Sequence, residues 1–114
     1  MKTPSDPRHH RRRSLVEDLF KSDFHKQKVS PEAQKIIESL PIIDKYIVKA
    51  APEFPIDKIN KVDLSILRLA VYELVVAGKE PKKVIIDEAI ELAKEYGGSK
   101  SPSFVNGALG NISK

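Results

Sequence analysis

Apolar residues recur along this chain at helical spacing, and no segment alternates as a strand would. Leu15, Val16, Leu19 and Phe20 fall at i, i+1, i+4 and i+5, one stripe of a helix that opens at the run "RRRSLVEDLF". Residues 21–29 are polar and predict a loop. Ser30 and Pro31 then suit a cap and a first helical position. From there Ile36, Leu40, Ile43, Ile47 and Ala50 form a second stripe, at spacings of four, three, four and three. Pro41 falls inside it, where proline removes a backbone hydrogen bond and clashes with the preceding turn, so a kink or a split is expected there. Pro52 and Pro55 close the segment, and "PIDKIN" predicts a short helical turn.

The stretch "KVDLSILRLAVYELVVAG" is apolar nearly all round, the mark of a helix buried on most faces. Asp63 suits its first turn and Gly78 its end. A second strong helix follows from Pro81 to Gly97. Val84, Ile85, Ile86, Ala89, Ile90, Leu92, Ala93 and Tyr96 are expected inside, with Lys82, Lys83, Glu88, Glu91, Lys94 and Glu95 facing water. Ser101 and Pro102 again read as cap and first position. Phe104, Val105, Ala108, Leu109 and Ile112 complete a short amphipathic helix. The chain is expected to be all-α.

At 114 residues it has room for about one domain. With no Trp and only 6% aromatics, the core must be aliphatic. The absence of Cys excludes a disulfide scaffold and a thiolate metal site or nucleophile. No apolar run approaches the ~20 residues of a membrane span, and the basic N-terminus lacks a signal peptide's apolar stretch. These features predict a cytoplasmic protein.

Charge changes the picture more. Residues 1–28 hold eight Lys/Arg against four acids, and the remainder is balanced, so the whole net charge of +4 sits in the first quarter. Residues 1–10, with Pro4 and Pro7, are expected to be a disordered basic tail ahead of a single helical domain over 11–114. A neutral body with a basic head points to a polyanion partner. The plainer alternative is a solvated tail or an expression remnant. Guanidiniums at a helix start can clamp phosphates and stack on bases, beside the helix's own N–H donors. Catalysis finds no support. His9, His10 and His25 all lie in the basic head, with no carboxylate at i+3 or i+4 of the adjacent pair to complete a metal set. Gly97-Gly98 reads as a helix stop. Neither an enzyme nor a cofactor nor a metal site is expected.

Three runs in order, "KVDLSILRLAVYEL", "PKKVIIDEAIELAKEYGG" and "SFVNGAL", resemble the NusB family of bacterial transcription antitermination proteins over about residues 55–112. "HHRRRSLVEDLF" is similar, more loosely, to that family's Arg-rich opening. The resemblance implies an all-helical fold of two small bundles and no catalytic activity. It also implies binding to boxA-type single-stranded RNA together with the ribosomal protein NusE, acting indirectly on the RNA polymerase elongation complex in ribosomal RNA operons.

The resemblance further places Arg8, His9, His10, Arg11, Arg12 and Arg13 at the RNA, with Lys100, Ser101, Ser103, Phe104 and Asn106 from the end of the chain. Phe104 either stacks on a base or packs in the core. Gly107 would permit close helix approach, and Asn106 would bond neighbouring backbone. Asp63 and Glu73 fall near the NusE surface, with first-turn dipole stabilisation and a structural hydrogen bond as their plainer roles. Arg68 is expected in a buried or half-buried ion pair.

Three departures stand out. Asp87 and Lys100-Ser101-Pro102-Ser103 differ from the family's usual residues. Only nine residues separate Phe20 from Ser30, where the family has a whole helix, so the N-terminal bundle is expected to lack one. Phe24 and Val29, a homodimer interface, or an exposed patch would deal with the uncovered surface. The competing function is an interaction module of this fold without antitermination, akin to the N-terminal domain of ribosomal RNA cytosine methyltransferases.

Overall fold

Three helix starts in this protein coincide with capping side chains written in the sequence. Asp6 accepts a hydrogen bond from the Arg8 N–H, Ser30 from the Ala33 N–H, and Asn60 from the Val62 and Asp63 N–H groups. The structure is a computed structural model that describes residues 6–25 and 28–112. Its helices are α1 (Pro7–Ser22), α2 (Pro31–Glu38), α3 (Leu40–Ala50), α4 (Lys61–Val71), α5 (Lys82–Tyr96) and α6 (Ser101–Gly110). A 3₁₀ turn covers Ile56–Lys58, and α4 runs on into a π turn at Tyr72–Ala77. The fold is all-α, with no strand among the described residues.

Two expected boundaries move. The first helix begins at Pro7, because Asp6 caps it and Pro7 occupies a first-turn position. Residues 6–10 are therefore part of the fold rather than of a disordered tail, and His9 is buried. Residues 1–5 lie outside the described residues. At the other end Ser101 is the first helical residue rather than the cap, and its hydroxyl accepts the Gly98 N–H at 3.0 Å. The stripe through Pro41 splits at Ser39, with Pro41 in the first turn of α3.

Helix α4 is the axis of the fold. It packs on α1, α3, α5 and α6, and Asp63 to Val71 are all buried. The core around it is aliphatic: Leu15, Ile36, Ile43, Leu64, Leu67, Val71, Ile85, Leu92, Val105 and Leu109 are almost fully enclosed. Each contributes about 1.5–3 kcal/mol by leaving water. Arg68 crosses this apolar helix paired as expected. Its Nε and Nη2 reach the Asp44 carboxylate at 3.0 and 2.9 Å, and Nη1 reaches Asp23 at 3.1 Å.

The π turn ends on Gly78, whose φ of +60° is the left-handed region that glycine tolerates. The Gly78 N–H donates to the Glu73 carbonyl, and the wider turn carries the Glu73 side chain inward. Between α1 and α2 the described residues contain no helix. Val29 packs on the core margin, while Phe24 stays 54% exposed with its ring edge-on to Phe20 at 5.0 Å.

Candidate nucleic-acid interface

The basic head is a lattice of ion pairs. Helix α1 reaches α5 and the π turn through its inward face, which carries charge. Arg12 is 2% exposed. Its Nε and Nη2 hold Glu73 at 2.8 and 2.9 Å, Nη2 also meets Glu80, and Nη1 lies 3.4 Å from Glu88. Burial works against its charge, but the hydrogen-bonded Glu73 and the neighbouring Glu80 and Glu88 outweigh it and push the guanidinium value up.

His9 sits beside it, with Nδ1 3.2 Å from Glu88 and Nε2 2.6 Å from Glu95. A ring facing two carboxylates donates to both only when doubly protonated. Arg12 and His9 are thus interior residues, and the expectation that they meet RNA gives way. The sequence pattern that set Glu88 toward water fails for the same reason, since Glu88 is buried with them.

The remaining cations of the head divide between two faces. On one, Arg8 and Arg11 line a cleft with Lys35 of α2, Lys79 of the α4–α5 connection, and Tyr72. Arg11 forms a two-point pair with Glu32, and the Arg8 side chain is 76% exposed, tethered to Asp6. Glu32, Glu73 and Glu80 also line this cleft, each already engaged by Arg11 or Arg12. Lys35 and Lys79 have no ion-pair partner among the described residues. On the other face Arg13 donates to the Tyr96 hydroxyl at 3.3 Å, and that hydroxyl donates to Glu17 at 2.6 Å. Burial and the Glu17 hydrogen bond raise the Tyr96 phenol above its ordinary value of 10.0. His10 is exposed.

From Tyr96 the chain enters the loop before α6, where the expected C-terminal residues gather. Gly97 is needed there, because a Cβ would collide with the Ser101 side chain and the Ala93 carbonyl. Lys100, Ser103 and Asn106 are exposed, and Ser101 is buried in the loop closure. Asn106 makes no side-chain hydrogen bond among the described residues. A Cβ at Gly107 would meet nothing within 4 Å, so close helix approach does not explain that glycine.

Phe104 has the core-packing role in part, and its ring meets Phe54 edge-on at 5.1 Å beside an open pocket. Asp63 lines the same pocket, 8% exposed, with Oδ1 buried and without a hydrogen-bond partner among the described residues. Of the two residues expected near a protein partner, Glu73 is enclosed by Arg12 and Asp63 stands among the expected RNA residues.

Lys35, Lys79, Lys58, Tyr72 and Phe54 escaped the sequence reading. Each is one polar or aromatic residue in an unremarkable segment, and only the fold gathers them. No group of metal-ligating side chains and no helix long and apolar enough to cross a membrane occurs among the described residues.

The model describing the NusB family matches residues 8–114. The transcription antitermination protein NusB of Lachnoclostridium phytofermentans is 37% identical over 124 aligned residues, covering 89% of this chain and 94% of that protein. Its namesake from Pseudothermotoga lettingae is 38% identical, covering 89% and 74%. The solved structure of T. maritima NusB superimposes with a TM-score of 0.81 at 33% identity, over 98% of this chain and 92% of that one.

Proposed function

The chain belongs to the NusB family, and on that premise we propose that it is a transcription antitermination adaptor which binds boxA-type single-stranded RNA together with NusE. It works by holding RNA and protein side by side, so its partners are the RNA strand, NusE and, through them, the elongating polymerase. Its relatives are named for antitermination and not for a reaction.

The observation that carries the RNA part is the cleft of Arg8, Arg11, Lys35 and Lys79 around Tyr72. Cations from three parts of the fold converge on one groove, and the buried carboxylates beneath it are already held by Arg12. A phosphate backbone in that groove releases counterions, and Tyr72 offers an aromatic ring to an unpaired base. Arg13, Lys100, Ser103 and Phe104 would extend the RNA path along the α5–α6 side.

The test is a fluorescence-anisotropy titration of a boxA-like RNA against a scrambled one, with and without NusE, at two salt concentrations. Tighter binding to the boxA-like strand, strengthened by NusE and weakened by salt, is expected. Equal binding to both strands, indifferent to NusE, would reduce the protein to an interaction module of this fold without antitermination.

A further inference from the structure

Among the described cations of the basic cleft, Arg11 is the one held by an acid of a different helix across the groove. Its Nε donates to Glu32 Oε1 at 3.0 Å, and its Nη2 pairs with Oε2. This two-point geometry is the one a guanidinium offers to a phosphate. Glu32 therefore occupies the place that a phosphate of a bound strand would take. Both side chains are open to solvent, 40% and 39% exposed, so the pair can be approached and exchanged. The other acids of the groove differ. Glu73 is buried on Arg12, and Glu80 is paired with the same guanidinium.

The surroundings make the exchange easy. Glu32 lies in the first turn of α2, where the helix dipole favours a negative charge whether or not Arg11 is bound. Arg11 Nη1 lies 3.9 Å from Glu73, so the guanidinium keeps an acid beneath it when Glu32 lets go. A phosphate arriving at Arg11 replaces one anion by another and gains little there. The gain has to come from its neighbours. Lys35 and Lys79 have no ion-pair partner among the described residues, and the mostly exposed Arg8 is tethered only to Asp6 of its own helix start. A single phosphate cannot engage these cations together, whereas a strand can.

We propose that Glu32 is a carboxylate gate on the RNA cleft. It stands in for a phosphate in the free protein and yields Arg11 to a polyanion that also engages the neighbouring cations. The proposal rests on the RNA-binding function proposed for the chain. Glu32 is then a residue that sets selectivity by opposing every anion too short to reach beyond Arg11. Opening the gate also removes one side-chain link between α1 and α2, leaving the Ser30 N–H on Asp18 at 3.2 Å.

The test is a double-mutant cycle, read by anisotropy with the boxA-like RNA at several salt concentrations. Glu32→Gln keeps the side chain's shape and removes its charge. It should bind the strand about fivefold more tightly than wild type. Its slope of log affinity against log salt should be unchanged, because the same phosphates are neutralised. In an Arg11→Ala background, Glu32→Gln should change affinity by less than about twofold. Glu38→Gln, an exposed acid of the same helix bonded to Gln34, should bind within about twofold of wild type. If Glu32→Gln tightens binding as much without Arg11 as with it, or Glu38→Gln matches it, the effect is general repulsion. The gate is then overturned while RNA binding stands. An affinity unmoved by Glu32→Gln overturns it in the same way. If neither wild type nor any variant binds the strand at low salt, the RNA-binding reading itself fails and the gate falls with it.

Discussion

Arg12 lies side-on to Glu73, two nitrogens against two oxygens at 2.8 and 2.9 Å, and both side chains are buried. The pair joins the first helix to the π turn at the end of the central one. Removing one member of such a pair strands the other's charge in the interior. Arg12→Ala should therefore cost about 3–5 kcal/mol in urea denaturation. Glu80→Gln, at the partly exposed margin of the same cluster, should cost no more than about 1 kcal/mol. Equal losses from the two would mean that the cluster is not organised around the Arg12–Glu73 pair.

The surface cations make a different prediction. Arg8→Ala with Arg11→Ala should leave thermal stability nearly unchanged and weaken RNA binding. It should flatten the slope of log affinity against log salt by about 0.7 for each phosphate no longer neutralised. An unchanged slope would place the RNA elsewhere. A variant that also removes Arg12 would confound unfolding with a weaker hold on RNA, because that arginine belongs to the interior.

The glycines of the α5–α6 region should part company. Gly97→Ala drives a methyl group into Ser101 and the Ala93 carbonyl, and should lower stability by about 1–3 kcal/mol. Gly107→Ala adds its methyl where nothing lies within 4 Å, inside a helix. It should raise stability by about 0.5–1 kcal/mol, read as a higher Tm. A decrease at Gly107 would reveal a packing role absent from this structure.

The start of α1 should be sensitive to acid. The Asp6 carboxyl is held below its ordinary value of 3.8, first by the Arg8 backbone N–H and then by the Arg8 side chain. A lowered value in the folded state makes this support complete above about 3.8 and lost as the pH falls through the lower, folded value. The protection of the Arg8, His9 and His10 amides against exchange, relative to the intrinsic rate at each pH, should fall on acidification below about pH 4, and Asp6→Ala should show the low protection already at neutral pH. Protection that does not change with acid in the wild type would remove Asp6 as the cap.

How much of this was legible in the sequence depended on whether the signal was local. The stripe through Ile36, Ile43 and Ile47, the all-round apolar run of α4 and the stop at Gly78 follow from spacing and backbone preference, and the structure has them. The Asp6-Pro7 start was as local as Ser30-Pro31, but it lay among histidines and arginines that suggested a solvated tail. The burial of His9, Arg12 and Glu88 was not local at all. A charge enters a core only when its counter-charges arrive from elsewhere, and Glu73, Glu80 and Glu95 sit on other segments. The pocket had the same obstacle, since Phe54, Asp63 and Phe104 come from three segments and mean nothing singly.

The partners of the first helix have a consequence for the order in which the molecule assembles. The side chains that pin it stand 61 residues away at Glu73 and 86 away at Glu95. During synthesis α1 is made before these partners, and its polar face is complete only once α5 has followed. Its Leu15, Val16 and Leu19 can meet α4 as soon as that helix exists, but the charged pairings to Glu88 and Glu95 wait for α5. Residues at those distant pairings should then govern how fast the protein comes apart far more than how fast it comes together.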